Sequence, residues 1–211
     1  MAYDLEEQEQ LDELKAWWKQ YGKLVMLVAV AFALTVAAVQ GWRYYRHSRA
    51  VEAGELFGQL ERAEREGNPK KAAEIARHLR EQYRATPYAA LAALAAARAS
   101  FDRGDLADAK AQLQWVSEHA REEEMKDVAR LRLAAVLLDE KNYAEALELV
   151  ETRPVESLTG LYADLKGDIL LAQGKVADAR SAYQLALDKS DAGSPYRATL
   201  QLKLDSLGEA K

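Results

Sequence analysis

Catalysis or metal binding would show first in histidines, cysteines and paired carboxylates, and this chain offers little of either. It holds three histidines, His47, His78 and His119, and no cysteine. The histidines lie far apart without metal-ligand spacing, so a zinc site would need scattered carboxylates to complete it. Ser117, Glu118 and His119 form a triad in order only, because neighbours on a helix point to different faces. No G-x-S-x-G, phosphate-loop or dinucleotide fingerprint occurs. The run Glu122, Glu123, Glu124 suits a solvated surface. A formal net charge of -5 argues against general nucleic-acid affinity. The expectation is a non-enzyme with no cofactor and no metal, one that acts by recognition.

The elements that would position a recognition surface begin with one apolar run, LVMLVAVAFALTVAAVQG, from Leu24 to Gly41. Lys23 closes it on one side and Arg43 on the other. As a helix, the uncharged stretch through Trp42 covers roughly 28 Å, against about 30 Å of bilayer hydrocarbon. The run lacks the polar stripe of an amphipathic core helix. A cleaved signal peptide has a short basic leader, whereas here the leader is long and starts with Asp4, Glu6, Glu7, Glu9, Asp12 and Glu13. The reading is a retained transmembrane helix over 23–42. Trp17, Trp18 and Tyr21 precede it and Trp42, Tyr44 and Tyr45 follow it, as interfacial belts would. Lys15, Lys19 and Lys23 on one side balance Arg43, Arg46 and Arg49 on the other, so charge leaves the orientation open.

Residues 1–22 form a tail expected to be helical when ordered, with Leu11, Leu14 and Trp18 on one stripe. A solvated tail is the favoured reading over a docking segment. The tail lysines have the sign to meet anionic lipid head groups.

Residues 43–211 are dense in Ala, Leu, Glu, Arg and Lys and show no strand-like alternation. Three segments align: RGDLADAKAQL (Arg103 to Leu113), EKNYAEALELV (Glu140 to Val150) and QGKVADARSAY (Gln173 to Tyr183). Each carries a small residue, Ala109, Ala146 or Ala179, with an earlier small partner at Ala97, Ala134 or Gly167. Small residues on both members of a helix pair let the axes approach closely. Leu113, Val150 and Tyr183 fill the later bulky position. Asp105 is a good N-cap, and Asn142 with Glu145 spells a capping box. This pattern resembles the tetratricopeptide repeat, of period about 34 residues. A degenerate first unit turns at Gly67 and continues at Ala72. Tyr196, Leu200, Leu204 and Leu207 predict a capping helix. The fold class is therefore all-α: one transmembrane helix, then an α-solenoid of about three to four helix pairs with a C-terminal cap.

The first helix of each unit would line a concave side. The alignment assigns to it Leu91, Leu94, Arg98 and Phe101, then Val128, Leu131, Ala135 and Leu138, then Leu161, Asp164, Asp168 and Leu171. Such a surface suits extended or partly unfolded protein segments. Periodicity equally fits a core covered by neighbouring helices, so the two readings stand together here.

The acidic-start tail, Trp17-Trp18, the single anchor and Gly41-Trp42-Arg43-Tyr44-Tyr45 resemble the YfgM family of proteobacteria, as does ADLKGDILLAQGK (Ala163 to Lys175). Further likeness lies in Tyr88 to Ala92, LRLAAVLL (Leu131 to Leu138), ARSAY (Ala179 to Tyr183) and LQLKLDSL (Leu200 to Leu207). The resemblance implies an ancillary subunit of the SecYEG translocon. It implies an inner-membrane protein with its N-terminus in the cytoplasm and its repeat domain in the periplasm. The partners implied are SecYEG, the periplasmic chaperone PpiD and unfolded exported proteins, with a cytoplasmic regulator at the tail in some members. It brings no catalytic residue. The alternative function is an envelope scaffold holding one fixed partner in the groove.

Overall fold

The computed structural model describes residues 2–208. The acidic start of the tail, Asp4, Glu6, Glu7, Glu9 and Asp12, lies outside the described side chains. Among the described residues the chain is helical, with one 3-10 turn at Glu156–Leu158 and no strand. It divides into two units, Met1–Arg49 and Ala50–Lys211.

Helix α1, Ala2–Arg65, supplies the first unit and the opening residues of the second. From Leu24 to Tyr45 its large apolar side chains point outward on every side; Leu27 and Phe32 are 68% and 70% exposed. This is the one helix among the described residues long and apolar enough to cross a membrane. The Thr35 hydroxyl donates to the Ala31 carbonyl at 2.8 Å, so the span's threonine brings no unsatisfied donor into an apolar surround.

The second unit is built from helical hairpins. The last turns of α1 pair with α2 (Pro69–Gln82). The pairs α3 (Pro87–Asp102) with α4 (Leu106–His119), α5 (Glu123–Asp139) with α6 (Tyr143–Glu151), and α7 (Thr159–Ala172) with α8 (Val176–Lys189) follow. Helix α9 (Tyr196–Ser206) closes the unit.

All four hairpins turn by one device. A residue of positive φ sits at each turn: Gly67, Gly104, Lys141 and Gly174. The next amide reaches back to the outgoing helix, Asn68 to Ala63, Asp105 to Ser100, Asn142 to Leu137 and Lys175 to Leu170, at 2.8–2.9 Å. These are Schellman caps, which close the orphan carbonyls of a helix end. Lys141 takes the left-handed conformation, φ 62°, without glycine's freedom. The Asp105 cap forms, its carboxylate accepting from the Asp108 amide at 3.1 Å. The expected Asn142 cap does not: its side chain makes no capping bond. The backbone bond from Ala146 to the Asn142 carbonyl, at 3.1 Å, carries that turn instead.

The small residues sit where the helices cross. Ala109, Ala146 and Ala179 are wholly buried, and Ala97, Ala134 and Gly167 face them from within the core. At Gly167 a Cβ would stand 2.4 Å from the Tyr183 ring. That tyrosine is the largest wholly buried side chain, so glycine here is required by space rather than by backbone. Alanine-lined crossings bury little area each, and Leu60, Leu79, Val116, Ile169 and Leu200 supply the bulk between them. Each fully buried side chain of that size contributes about 1.5–3 kcal/mol.

Candidate protein-binding groove and membrane segment

Helices α2 to α5 and the last turns of α1 surround an open groove of about 1300 Å³. Its floor is paved with small residues, among them Ala72, Ala73, Ala95, Ala96, Ala99 and Ala135. Leu91 and the 41% exposed Phe101 supply its apolar wall. Arg77, Arg98, Arg132 and Asp139 stand around it. Alanines give the groove its depth: each leaves room that a leucine would fill from inside.

A polar network stiffens one wall. The Ser100 hydroxyl donates to Asp108, Gln112 donates to the same carboxylate at 3.1 Å, and Arg80 donates to Gln112 at 2.7 Å. The Ser100 bond, with Gln112 and the charges of Arg103 and Arg80, outweighs burial and holds the Asp108 carboxyl below its ordinary value. Arg80 also lies over the Trp115 ring, 6.0 Å from its centroid.

The structure divides the residues that the sequence assigned to one concave side. Leu91, Leu94, Arg98, Phe101 and Ala135 come together in the groove, with Leu94 itself buried in its wall. Val128, Leu131 and Leu138 instead pack on the core shared by α5, α6 and α7. Leu161 and Leu171 are exposed on α7.

Asp164 and Asp168 are engaged by α9. Lys203 donates to Asp164 at 2.8 and 3.0 Å and to Asp168 at 2.7 and 2.8 Å. Tyr196 donates to Asp164, and Tyr183 donates to Asp168 at 2.7 Å. Burial disfavours the Lys203 ammonium, but the bonds to Asp164 and Asp168 outweigh it and hold the lysine above its ordinary value. Burial, then the neighbouring carboxylates, push the Tyr183 and Tyr196 phenols up, so both remain hydrogen-bond donors. This face is therefore occupied from within the chain.

Sequence reasoning missed Arg77, Arg132 and Asp139. On α5 the signal was the charged pair Arg132 and Asp139, seven residues apart with Ala135 between them, which runs beside the leucines at helical spacing. Among the described residues no three histidine or acidic side chains are placed to hold a metal ion.

In the first unit the two aromatic sets form clusters along α1. Trp17 lies 6.4 Å from Trp18 and 5.8 Å from Tyr21, and Trp42 lies 6.2 Å from Tyr45, between ring centroids. Tyr44 is exposed beside them. Tyr21 and Trp42 are separated by roughly 30 Å of helix at 1.5 Å per residue.

The tetratricopeptide repeat-like domain family matches residues 15–209. The chain is also similar, along nearly its whole length, to proteins named ancillary SecYEG translocon subunit. It is 34% identical to the one from Neisseria gonorrhoeae, over 98% of this chain and 100% of that one. The Escherichia coli protein is 31% identical over 95% and 96%, and the Haemophilus influenzae protein 29% identical over 98% and 100%. The chain belongs to this family. The likeness to the YfgM family read from its motifs is thereby established, and the all-α, tetratricopeptide-like fold with it. The family's name describes a subunit of an assembly rather than a class of enzyme.

Proposed function

We propose that this protein is a membrane-anchored, non-catalytic binding module of the Sec translocon that helps pass exported proteins to periplasmic chaperones. Residues 1–22 form its cytoplasmic tail, 23–42 cross the inner membrane, and 43–211 work in the periplasm. SecYEG, a PpiD-like chaperone and unfolded exported chains are its partners. One observation carries the reading: the likeness to ancillary translocon subunits runs through the apolar helix and the grooved repeats alike. The groove supports the binding role. It exceeds the upper end of the small-molecule range of about 300–1,000 Å³, its floor is apolar, and its charged rim carries both signs. Such a surface gains affinity by burying bulky side chains without demanding one sequence.

The test is site-specific photocrosslinking in living cells from Phe101 and Arg132. Capture of translocon subunits, chaperone or nascent exported chains is the expected result; recovery of unrelated envelope proteins alone would sink the proposal. A second reading, an envelope scaffold with one fixed partner, draws support from the groove's limited extent. It reaches from Leu60 to Asp139 and leaves out α6 to α9. A single saturable partner in the same experiment favours that reading, and many clients favour the first.

A further inference from the structure

Lys15, Lys19 and Lys23 stand four residues apart on α1. At 3.6 residues per turn they share one face, within an arc of about 80°. Lys23 is the last charge before the apolar run. The same face carries a notch. Gly22 is buried while its neighbours Tyr21 and Lys23 are exposed. What covers it is the Trp18 indole, whose ring atoms would stand 3.2 Å from a Cβ at Gly22. The indole therefore lies flat along the helix beside the lysines. A shallow concavity at that place is lined by Leu14, Lys15, Trp17, Trp18 and Lys19. The far aromatic cluster has no such notch, for nothing lies over Gly41.

We propose that this face binds the head groups of anionic phospholipids. The dimensions fit. Lys15 to Lys23 spans about 12 Å of helix, and the head-group layer is about 5–7 Å deep on each side of the hydrocarbon. Lys23 and Lys19 fall within that layer when Leu24 enters the hydrocarbon. Lys15 falls within a Debye length of it, about 8 Å at physiological salt. The indoles hold the depth, because amphipathic rings settle at the head-group level. The ammoniums supply the charge, attracting anionic lipid without demanding a fixed geometry. The occupant is a lipid and not a free phosphate because lysines, indoles and apolar run are continuous on one helix. A lipid's phosphate and acyl chain meet all three, and a free ion meets only the lysines.

The inference rests on reading α1 as membrane-spanning, and the experiment separates the two. The full chain carrying Trp42→Phe, which leaves Trp17 and Trp18 as its interfacial indoles, is reconstituted in phosphatidylcholine vesicles. These contain a minority of either brominated phosphatidylglycerol or brominated phosphatidylcholine. Indole fluorescence should be quenched more by the anionic lipid. Each lysine should contribute up to about fivefold to that preference at low salt, and the preference should shrink as salt rises. The triple variant Lys15→Gln, Lys19→Gln, Lys23→Gln keeps good helix formers. It should float with vesicles as before and lose the preference. Equal quenching by the two lipids overturns the inference, and so does a preference that survives in the triple variant. Loss of the preference on adding inorganic phosphate at constant ionic strength assigns the face to a free ion and overturns it too. A chain that floats with neither vesicle overturns the membrane-spanning reading together with this one.

Discussion

Single residues decide the spacing of the repeats, and Gly167 is the sharpest case. With the Tyr183 ring where a Cβ would go, Gly167→Val forces the α7–α8 crossing apart. The expected loss is about 2–4 kcal/mol, in the upper range for overpacking a core. A urea unfolding series on the detergent-solubilised chain measures it. Pairing the change with Tyr183→Leu should recover part of the loss, because the three atoms nearest that Cβ all belong to this ring. Asp108 gives the pH prediction. Its folded-state value is depressed, so its contribution is present above the ordinary carboxylate range, near pH 4, and is lost as pH falls through the lower folded value. Asp108→Asn should flatten the acid limb of the stability–pH curve and leave its alkaline limb unchanged. An unaltered acid slope would show that the Ser100–Asp108–Gln112 network carries no linkage.

Helix α9 shows how an element can change what a surface does. It docks by Leu200 and Leu204, both buried, and it sends Lys203 to two aspartates on α7. Lys203→Met would leave the buried Asp164 carboxylate short of its cation, a cost of about 3 kcal/mol at neutral pH. Matching urea curves for wild type and variant at pH 7 would refute it. This element also marks the limit of reading the sequence. The face Tyr196, Leu200, Leu204, Leu207 foretold a cap, and the cap is there. What the pattern did not hold was the partner of Lys203, because a contact between residues distant in sequence leaves no periodicity. The α5 leucines failed for a related reason. Leu131 and Leu138 recur at the same helical spacing as Arg132 and Asp139, and only packing against α6 and α7 decides which stripe turns inward. Turns were more legible, since Gly67, Gly104 and Gly174 announce a backbone requirement. Lys141 fills the same role without announcing it.

At the scale of the molecule, composition carried most of the outcome. A charge-free run long enough for a bilayer, and three aligned helix pairs later in the chain, restricted the fold to a helical array with one long apolar helix. Orientation is the property that lysine and arginine counts left balanced. It calls for direct measurement: protease added to intact spheroplasts should digest residues 43–211, whereas digestion only after the inner membrane is opened would reverse the topology. The closed end of the array has a further consequence. Lys203 already engages both aspartates from within the chain, so a second copy arriving at that end does not meet them as free carboxylates. Stacking of a further copy there gains nothing from this aspartate pair.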